Sequence, residues 1–283
     1  MTATLDRLGE TTIGRRTFAW GTRTFVMGIL NVTPDSFSGD GLVARDEGGT
    51  VAAAVAQARS MAADGADILD IGGESTRPGH APVGEAEEQS RVVPVVAAVR
   101  AALPQMPLSI DTTKPAVAAA AIDAGADLVN DVWGVAPDDS LSRLVAERGV
   151  PIVLMHNRAE ARYDDLIPEI IADLEAAIDR ALTAGVPRQD ILVDPGFGFG
   201  KTAEHNLALL RDLARLQVLG RPILLGTSRK STLGMILDLP ADQRVEATLA
   251  TTVIGIAAGV DIVRVHDVQA NVRAARMADA VLR

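Results

Sequence analysis

The side chains able to do chemistry in this sequence gather where short apolar runs end. Asn31, the segment Glu74-Ser-Thr-Arg-Pro, Asp111, Asn130, His156, Asp194 and the pair Arg264 and His266 each close or closely follow such a run, and Lys230 sits in the loop after another. Burying a carboxylate without a partner is costly, so Asp111 and Asp194 need something to bind. One answer is structural salt bridges to Lys230 and Arg264. The other is a ligand at a shared site, which a convergent set of polar groups favours. Asn31-Val-Thr-Pro-Asp-Ser-Phe-Ser surrounds Pro34 with oxygen-bearing side chains, as an Asx-Pro turn does and as a hard cation or a phosphate requires. Arg264 and His266 lie two apart on one run and so share a strand face. The chain has no cysteine and no evident Ser-His-acid arrangement, which argues against a covalent enzyme intermediate.

One segment imitates a different chemistry. Gly196-Phe-Gly-Phe-Gly-Lys-Thr looks like a nucleotide phosphate loop, but the position where that pattern needs its first glycine is Pro195, which has no N–H to offer a phosphate. A nucleotide-dependent phosphotransferase is therefore a weak reading, and Lys201 is read as a solvated or structural lysine.

The elements that position these residues alternate regularly. Short runs without polar alternation, at 25–30, 68–71, 108–110, 128–130, 152–155, 191–193, 223–225 and 262–265, predict strands buried on both faces. Longer, Ala-rich stretches at 50–64, 84–102, 115–124, 139–148, 164–184, 203–216, 243–258 and 268–282 predict helices. Eight strand-helix units without a dinucleotide fingerprint after the first strand favour a (β/α)₈ TIM barrel over a doubly wound open sheet. Residues 11–25 predict a short N-terminal β-hairpin that could plug the barrel floor. An internal echo supports one repeating plan: Gly65-Ala-Asp-Ile-Leu-Asp, Gly125-Ala-Asp-Leu-Val-Asn and Gly259-Val-Asp-Ile-Val-Arg each end a helix on glycine, open a strand and close on a polar residue at the rim.

At 283 residues the chain suits one barrel domain spanning 1–283. A formal charge of −10 argues against a nucleic-acid surface, so an anionic substrate must meet a local basic pocket. Without a signal-like start or a bilayer-length apolar run, a soluble cytoplasmic protein with no membrane role is expected.

Taken together, Asn31-Val-Thr-Pro-Asp-Ser-Phe, Gly73-Glu-Ser-Thr-Arg-Pro-Gly, Ser109-Ile-Asp-Thr, Val129-Asn-Asp-Val, Asp194-Pro-Gly-Phe-Gly-Phe-Gly-Lys, Ser228-Arg-Lys-Ser and Arg264-Val-His-Asp-Val resemble the dihydropteroate synthase series, in that family's order. The resemblance implies a transferase of folate biosynthesis that joins a dihydropterin pyrophosphate to p-aminobenzoate by a dissociative displacement. No strong general base is demanded, because an arylamine is already nucleophilic when neutral. It implies that Asp111, Asn130 and Asp194 bond the pterin ring, with Lys230 at its carbonyl and N5 side and Arg264 along its face. Val132, Met155 and Gly226 complete that pocket. Asn31, Arg264 and His266 would take the pyrophosphate, with Mg²⁺ and Asn31 as its protein ligand. Phe37, Thr76, Arg77, Pro78, Phe199 and Ser231 would take p-aminobenzoate, within loops at 33–41 and 74–79 that close over it. Lys230, Arg264, His266 and Asp111 would be the catalytic set. The resemblance also marks the chain as a sulfonamide target. One departure appears: the family often reads Ser-Asp-Gly-Gly where this chain has Ser38-Gly39-Asp40-Gly41, which leaves the role of Asp40 open. A pterin-binding methyltransferase shares the Asp, Asn, Asp pocket but fits the loop set less well, and a non-catalytic paralogue would keep the fold. The small and apolar residues from Thr248 to Gly259 predict close helix packing and a part in a homodimer.

Overall fold

The computed structural model describes residues 8–32, 47–74, 83–134 and 136–283. A two-stranded antiparallel hairpin, β1 (Glu10–Ile13) and β2 (Arg16–Ala19), precedes eight parallel strands. These are β3 (Phe25–Asn31), β4 (Ile68–Gly72), β5 (Leu108–Asp111), β6 (Leu128–Asp131), β7 (Ile152–Met155), β8 (Ile191–Asp194), β9 (Leu224–Leu225) and β10 (Ile262–Val265). Each pairs with the next in chain order, β10 pairs with both β3 and β9, and a parallel bridge from Val193 to Ile223 joins β8 to β9 and closes the circle. Around it lie α1 (Glu47–Ala63), α2 (Glu85–Ala102), α3 (Pro115–Asp123), α4 (Ser140–Arg148), α5 (Leu166–Thr183), α6 (Ala203–Arg211), α7 (Ser231–Leu237), α8 (Val245–Ala257) and α9 (Val268–Leu282).

The unbroken apolar runs resolve into two sets by the strand period of two. Val26, Leu69, Ile110, Val129, Leu154, Val193, Leu225 and Val263 point outward into the layer beneath the helices. Met27, Ile68, Leu128, Val153, Leu192, Leu224 and Ile262 point inward and form a separate floor cluster with Ile13, Phe18, Trp20 and Phe25. The hairpin thus plugs the barrel floor. Trp20 is buried there between Phe18 and Phe25 and donates its indole N–H to Thr11 Oγ1 at 2.9 Å. Gly21 N–H bonds Asp261 Oδ1 at 3.1 Å, which ties the end of the hairpin to the start of β10.

One predicted helix needs correction and one helix was not predicted. The stretch 203–216 is one helix only to Arg211; from Leu213 to Leu219 it tightens to a 3₁₀ helix. Leu213, Leu216 and Leu219, all buried, recur every third residue, which is the 3₁₀ period. The short helix α7, directly after Lys230, has no counterpart in the predicted elements. At seven residues it is too brief to show a periodic face. The echo glycines behave as expected: Gly65, Gly125 and Gly259 follow α1, α3 and α8 with φ of +100°, +115° and +93°.

Candidate functional site

Two residues beyond each floor residue, the same strand face reaches the C-terminal rim. From Ile68, Leu128, Val153, Leu192, Leu224 and Ile262, that step gives Asp70, Asn130, Met155, Asp194, Gly226 and Arg264. Ser109 pairs with Leu128, so Asp111 faces inward beside Asn130. Another step along β3 and β10 gives Asn31 and His266. The predicted pterin residues therefore converge because of strand register, and Val132 and Met155 are buried beside them.

The centre of the site is Asp70, which was not among the predicted site residues. Its Oδ2 accepts from Arg264 Nε at 2.6 Å and from Asn130 Nδ2 at 3.0 Å, and the side chain is fully buried. Asp70, Asn130 and Arg264 are the three polar residues that close the sequence echo, so the echo carried the signal that would have found it. Arg264 also donates to Asp111 Oδ2 at 2.7 Å. Burial opposes the guanidinium's charge, but Asp70 and Asp111 outweigh it and hold Arg264 above its ordinary value. Burial pushes the Asp111 carboxyl up to about 7; Arg264 pulls against this and Asp70 adds to it. Both Asp111 Oδ1 and Asn130 Oδ1 are buried without a hydrogen-bond partner among the described residues, so two acceptors are open to a ligand.

Asp194 is held differently. Its Oδ1 accepts the Gly196 N–H at 2.6 Å, and burial raises it to about 6 against that bond and the charge of Lys230. Of the two salt bridges weighed from the sequence, Asp111 forms one with Arg264, whereas Asp194 bonds a backbone amide. The glycines after Asp194 serve backbone approach. At Gly196, φ is +70° and a Cβ would stand 1.8 Å from the His156 carbonyl oxygen; at Gly200, φ is +53° and a Cβ would stand 2.4 Å from that of Arg158. Of the two readings of Lys201 the structural one fits: it is partly buried, its ammonium bonds the Gly196 and Phe199 carbonyls, and burial brings it down to about 7, with Asp194 opposing.

The loop after β9 is fixed from both sides. Arg229 sits at φ +58°, a conformation costly for a residue with a Cβ, and its guanidinium forks onto Asp267 at 2.6 and 3.1 Å. Its neighbours are thereby aimed. The Lys230 ammonium lies 3.7 Å from the centre of the Phe199 ring, a cation–π contact. Ser228 Oγ accepts the His266 N–H at 3.1 Å and meets His266 Nδ1 at 3.0 Å. Ser231 opens α7 and is exposed. Gly226 lies against the Arg264 stem, where a Cβ would make only an ordinary contact, 3.7 Å from Arg264 Cβ.

Phe37, Asp40, Thr76, Arg77 and Pro78 lie outside the described residues. Glu74, just before the second of these segments, accepts the Val83 N–H at 3.1 Å and pairs with Lys114, which also pairs with the buried Glu88. Among the described residues no group of three or more His, Asp or Glu side chains gathers to hold a metal. The oxygens near Asn31 suit a looser mode: a Cβ on Gly72 would lie 3.6 Å from Asp111 Oδ2 and 3.8 Å from Asn31 Oδ1, so both atoms border the same small space. Mg²⁺ keeps several waters and commonly needs only one or two protein oxygens beside substrate phosphates; Asn31 Oδ1 can serve as one, whereas Asp111 Oδ2 is already held by Arg264.

Comparison with known proteins shows the family and the fold. The family described as pterin binding enzyme matches residues 27–266. The dihydropteroate synthase of Clostridium beijerinckii is 50% identical over 272 residues, covering 96% of this chain and 99% of that protein. Among solved structures, dihydropteroate synthase from Clostridium difficile in the presence of pteroic acid superposes with a TM-score of 0.88 at 47% identity, over 94% of this chain and 99% of that one. The Xanthomonas albilineans enzyme with 4-aminobenzoic acid gives 0.89 at 43%, over 96% and 97%.

Proposed function

The chain belongs to the pterin-binding enzyme family, and from that premise we propose how its rim divides the labour of the transfer it catalyses. The reaction is that of a dihydropteroate synthase: 6-hydroxymethyl-7,8-dihydropterin pyrophosphate and p-aminobenzoate give 7,8-dihydropteroate and pyrophosphate. The observation that best supports the division is the pair of acceptors, Asp111 Oδ1 and Asn130 Oδ1, without partners among the described residues, beside Asp194 at the C-terminal rim of the barrel. A pterin offers ring N–H and amino donors at fixed spacing, and such rigidly held acceptors suit it.

In this reading Asp111, Asn130 and Asp194 bond the donor edge of the ring, and Lys230 takes the carbonyl and N5 side. Met155, Val132 and Gly226 leave room for the flat ring, with Arg264 along its face. Asn31, Arg264 and His266 receive the pyrophosphate; Asn31 would hold a Mg²⁺ ion, which would supply positive charge to the departing pyrophosphate. The methylene–oxygen bond breaks first, the electron-rich ring stabilises the cation, and the arylamine nitrogen then attacks and sheds its proton. Lys230 and Arg264 act by holding charge, Asp111 and His266 by hydrogen bonding, and none serves as nucleophile. Phe199 and Ser231, with Phe37, Thr76, Arg77 and Pro78, form the arylamine side, where sulfonamides would also bind. Incubation with the pterin pyrophosphate, Mg²⁺ and p-aminobenzoate tests the reading: dihydropteroate should accumulate with stoichiometric pyrophosphate, and pterin binding without product would mark a non-catalytic relative.

Binding should be ordered, because the pterin seat is built on strand ends and the arylamine seat draws on two Gly- and Pro-containing loops. Calorimetric titration should show p-aminobenzoate binding tightly only with pyrophosphate present, and a variant lacking 37–41 should lose that binding while still taking up a pterin. Equal arylamine binding with and without pyrophosphate, in both proteins, would refute the order.

No described helix is long and apolar enough to cross a membrane, and we place the protein in the cytoplasm. The helix predicted to join a dimer commits Thr252 to α9, through a 2.8 Å bond to Asn271 Oδ1, and leaves Val253 and Ile254 exposed. Met235 and Ile236 on α7, and Met277 and Val281 on α9, are exposed too. We assign these last three helices to a homodimer interface. Sedimentation at micromolar concentration should give twice the chain mass of 29.6 kDa, and a monomer alone would overturn the assignment.

A further inference from the structure

The lysine of the phosphate-loop imitation has no part in the transfer described above, yet the fold surrounds it with acceptors. Lys201 Nζ donates to the carbonyl oxygens of Gly196 and Phe199, each at 3.1 Å, and meets His156 Nδ1 at 2.9 Å. Three ammonium protons thus face three acceptors. His156, fully buried at the end of β7, is held near 3 by burial and by the charge of Lys201, so it is neutral. With Nδ1 accepting from the lysine, the imidazole proton resides on Nε2 and points to Asp173 Oδ2 at 3.1 Å. Arg158 forks onto the same Asp173 oxygen at 2.7 and 3.0 Å and bonds Glu169 at 2.6 Å, which anchors the network on α5.

Two site residues hang on the carbonyls that Lys201 holds. Gly196 gives its N–H to Asp194 Oδ1, and Phe199 carries the ring beneath the Lys230 ammonium. We propose that Lys201 is a positioning residue that staples the turn 196–199, so that the pterin carboxylate Asp194 and the aromatic face of Phe199 keep a fixed offset. The proposal rests on the assignment of those two residues to the two substrates given above.

The experiment compares wild type, Lys201→Met, Phe199→Ala and the double variant by thermal melting, pterin calorimetry, and kcat and KM for p-aminobenzoate. Lys201→Met should fold with a lowered melting point, bind pterin several-fold more weakly and raise KM for p-aminobenzoate about tenfold. In the Phe199→Ala background the same substitution should change that KM by less than about twofold, because the lysine acts through the ring it places. Should Lys201→Met fail to fold, Lys201→Gln, which keeps two of the donors on a shorter stem, decides by the same criteria. A lowered melting point with both binding constants unchanged, or an equal KM effect in both backgrounds, would overturn the proposal while leaving the subsites standing. Wild-type protein that bound no pterin would overturn the subsite assignment and the staple together.

Discussion

Asp194→Ala should lower pterin affinity by about a hundredfold or more. A hydrogen bond to a charged acceptor contributes about 1.5–3 kcal/mol, and removing the carboxylate strands at least one ring donor in a desolvated pocket. It also removes the acceptor for the Gly196 N–H, so the turn leading to Phe199 loses an anchor at the same time. Asp194→Asn is the sharper probe. Its carbonyl oxygen can keep the Gly196 bond, but its amide group turns donors toward donors, so affinity should fall nearly as far while the fold is preserved. Calorimetry with a pterin reads both variants, and binding as tight as wild type in either would show that the ring lies elsewhere. The pH dependence has a definite sign. Burial raises Asp194 to about 6 and Asp111 to about 7, from 3.8 for an unperturbed carboxyl. The carboxylate is the form that accepts from the ring, so pterin affinity should rise between about pH 5 and 8, and less steeply in Asp194→Asn. The unliganded fold should follow the opposite course. These groups keep protons that the unfolded chain has released, so their contribution to stability is full below about pH 4 and is lost as pH climbs through 6 and 7.

Asp70→Ala should produce the largest loss of stability at the rim, about 3–5 kcal/mol, because it strips one partner from a buried ion pair and leaves the Asn130 amide without its acceptor. For a chain of this length that is a fall of roughly 10 °C in melting temperature. Turnover should fall as well, since Arg264 would be held by Asp111 alone and could swing from the ring face. Asp70→Asn keeps an oxygen for Arg264 and should fall between wild type and Asp70→Ala in both measurements. A melting temperature within about 1 °C of wild type together with normal turnover would show that Asp70 only fills space.

Why Asp70 escaped a reading of the sequence is instructive. Strand ends are visible as apolar runs that stop, so Asp111, Asn130, Asp194 and Arg264 were legible as a rim. Asp70 lies inside such a run, in Ile68-Leu-Asp-Ile-Gly, and only the echo it shares with Asn130 and Arg264 marks it. Its meaning comes from Arg264, 194 positions away, across β3. The structural reading of Lys201 has equally remote grounds: one of its acceptors, His156, is 45 positions distant, directly after β7. The phosphate-loop likeness, by contrast, was rightly discounted at Pro195, and the glycines that created it serve close backbone packing against His156 and Arg158. The helix α7 was missed because seven residues leave too little period to read, whereas the 3₁₀ segment was written plainly in leucines three apart. The family resemblance identified the chemistry; register explains why its residues meet.

That register also sets how the gene can change. Every second residue of a strand faces the axis, so inserting one codon ahead of Asn130 in β6 would turn Asn130 out toward the helices and bring Val129 in, and deleting one would bring Asp131 in. Lengthening a connection at the rim moves no inward residue at all. Replication slippage should therefore be purged within the strands and tolerated between them, and a directed-evolution library that varies connection length while leaving strand length alone would sample the changes this barrel can accept.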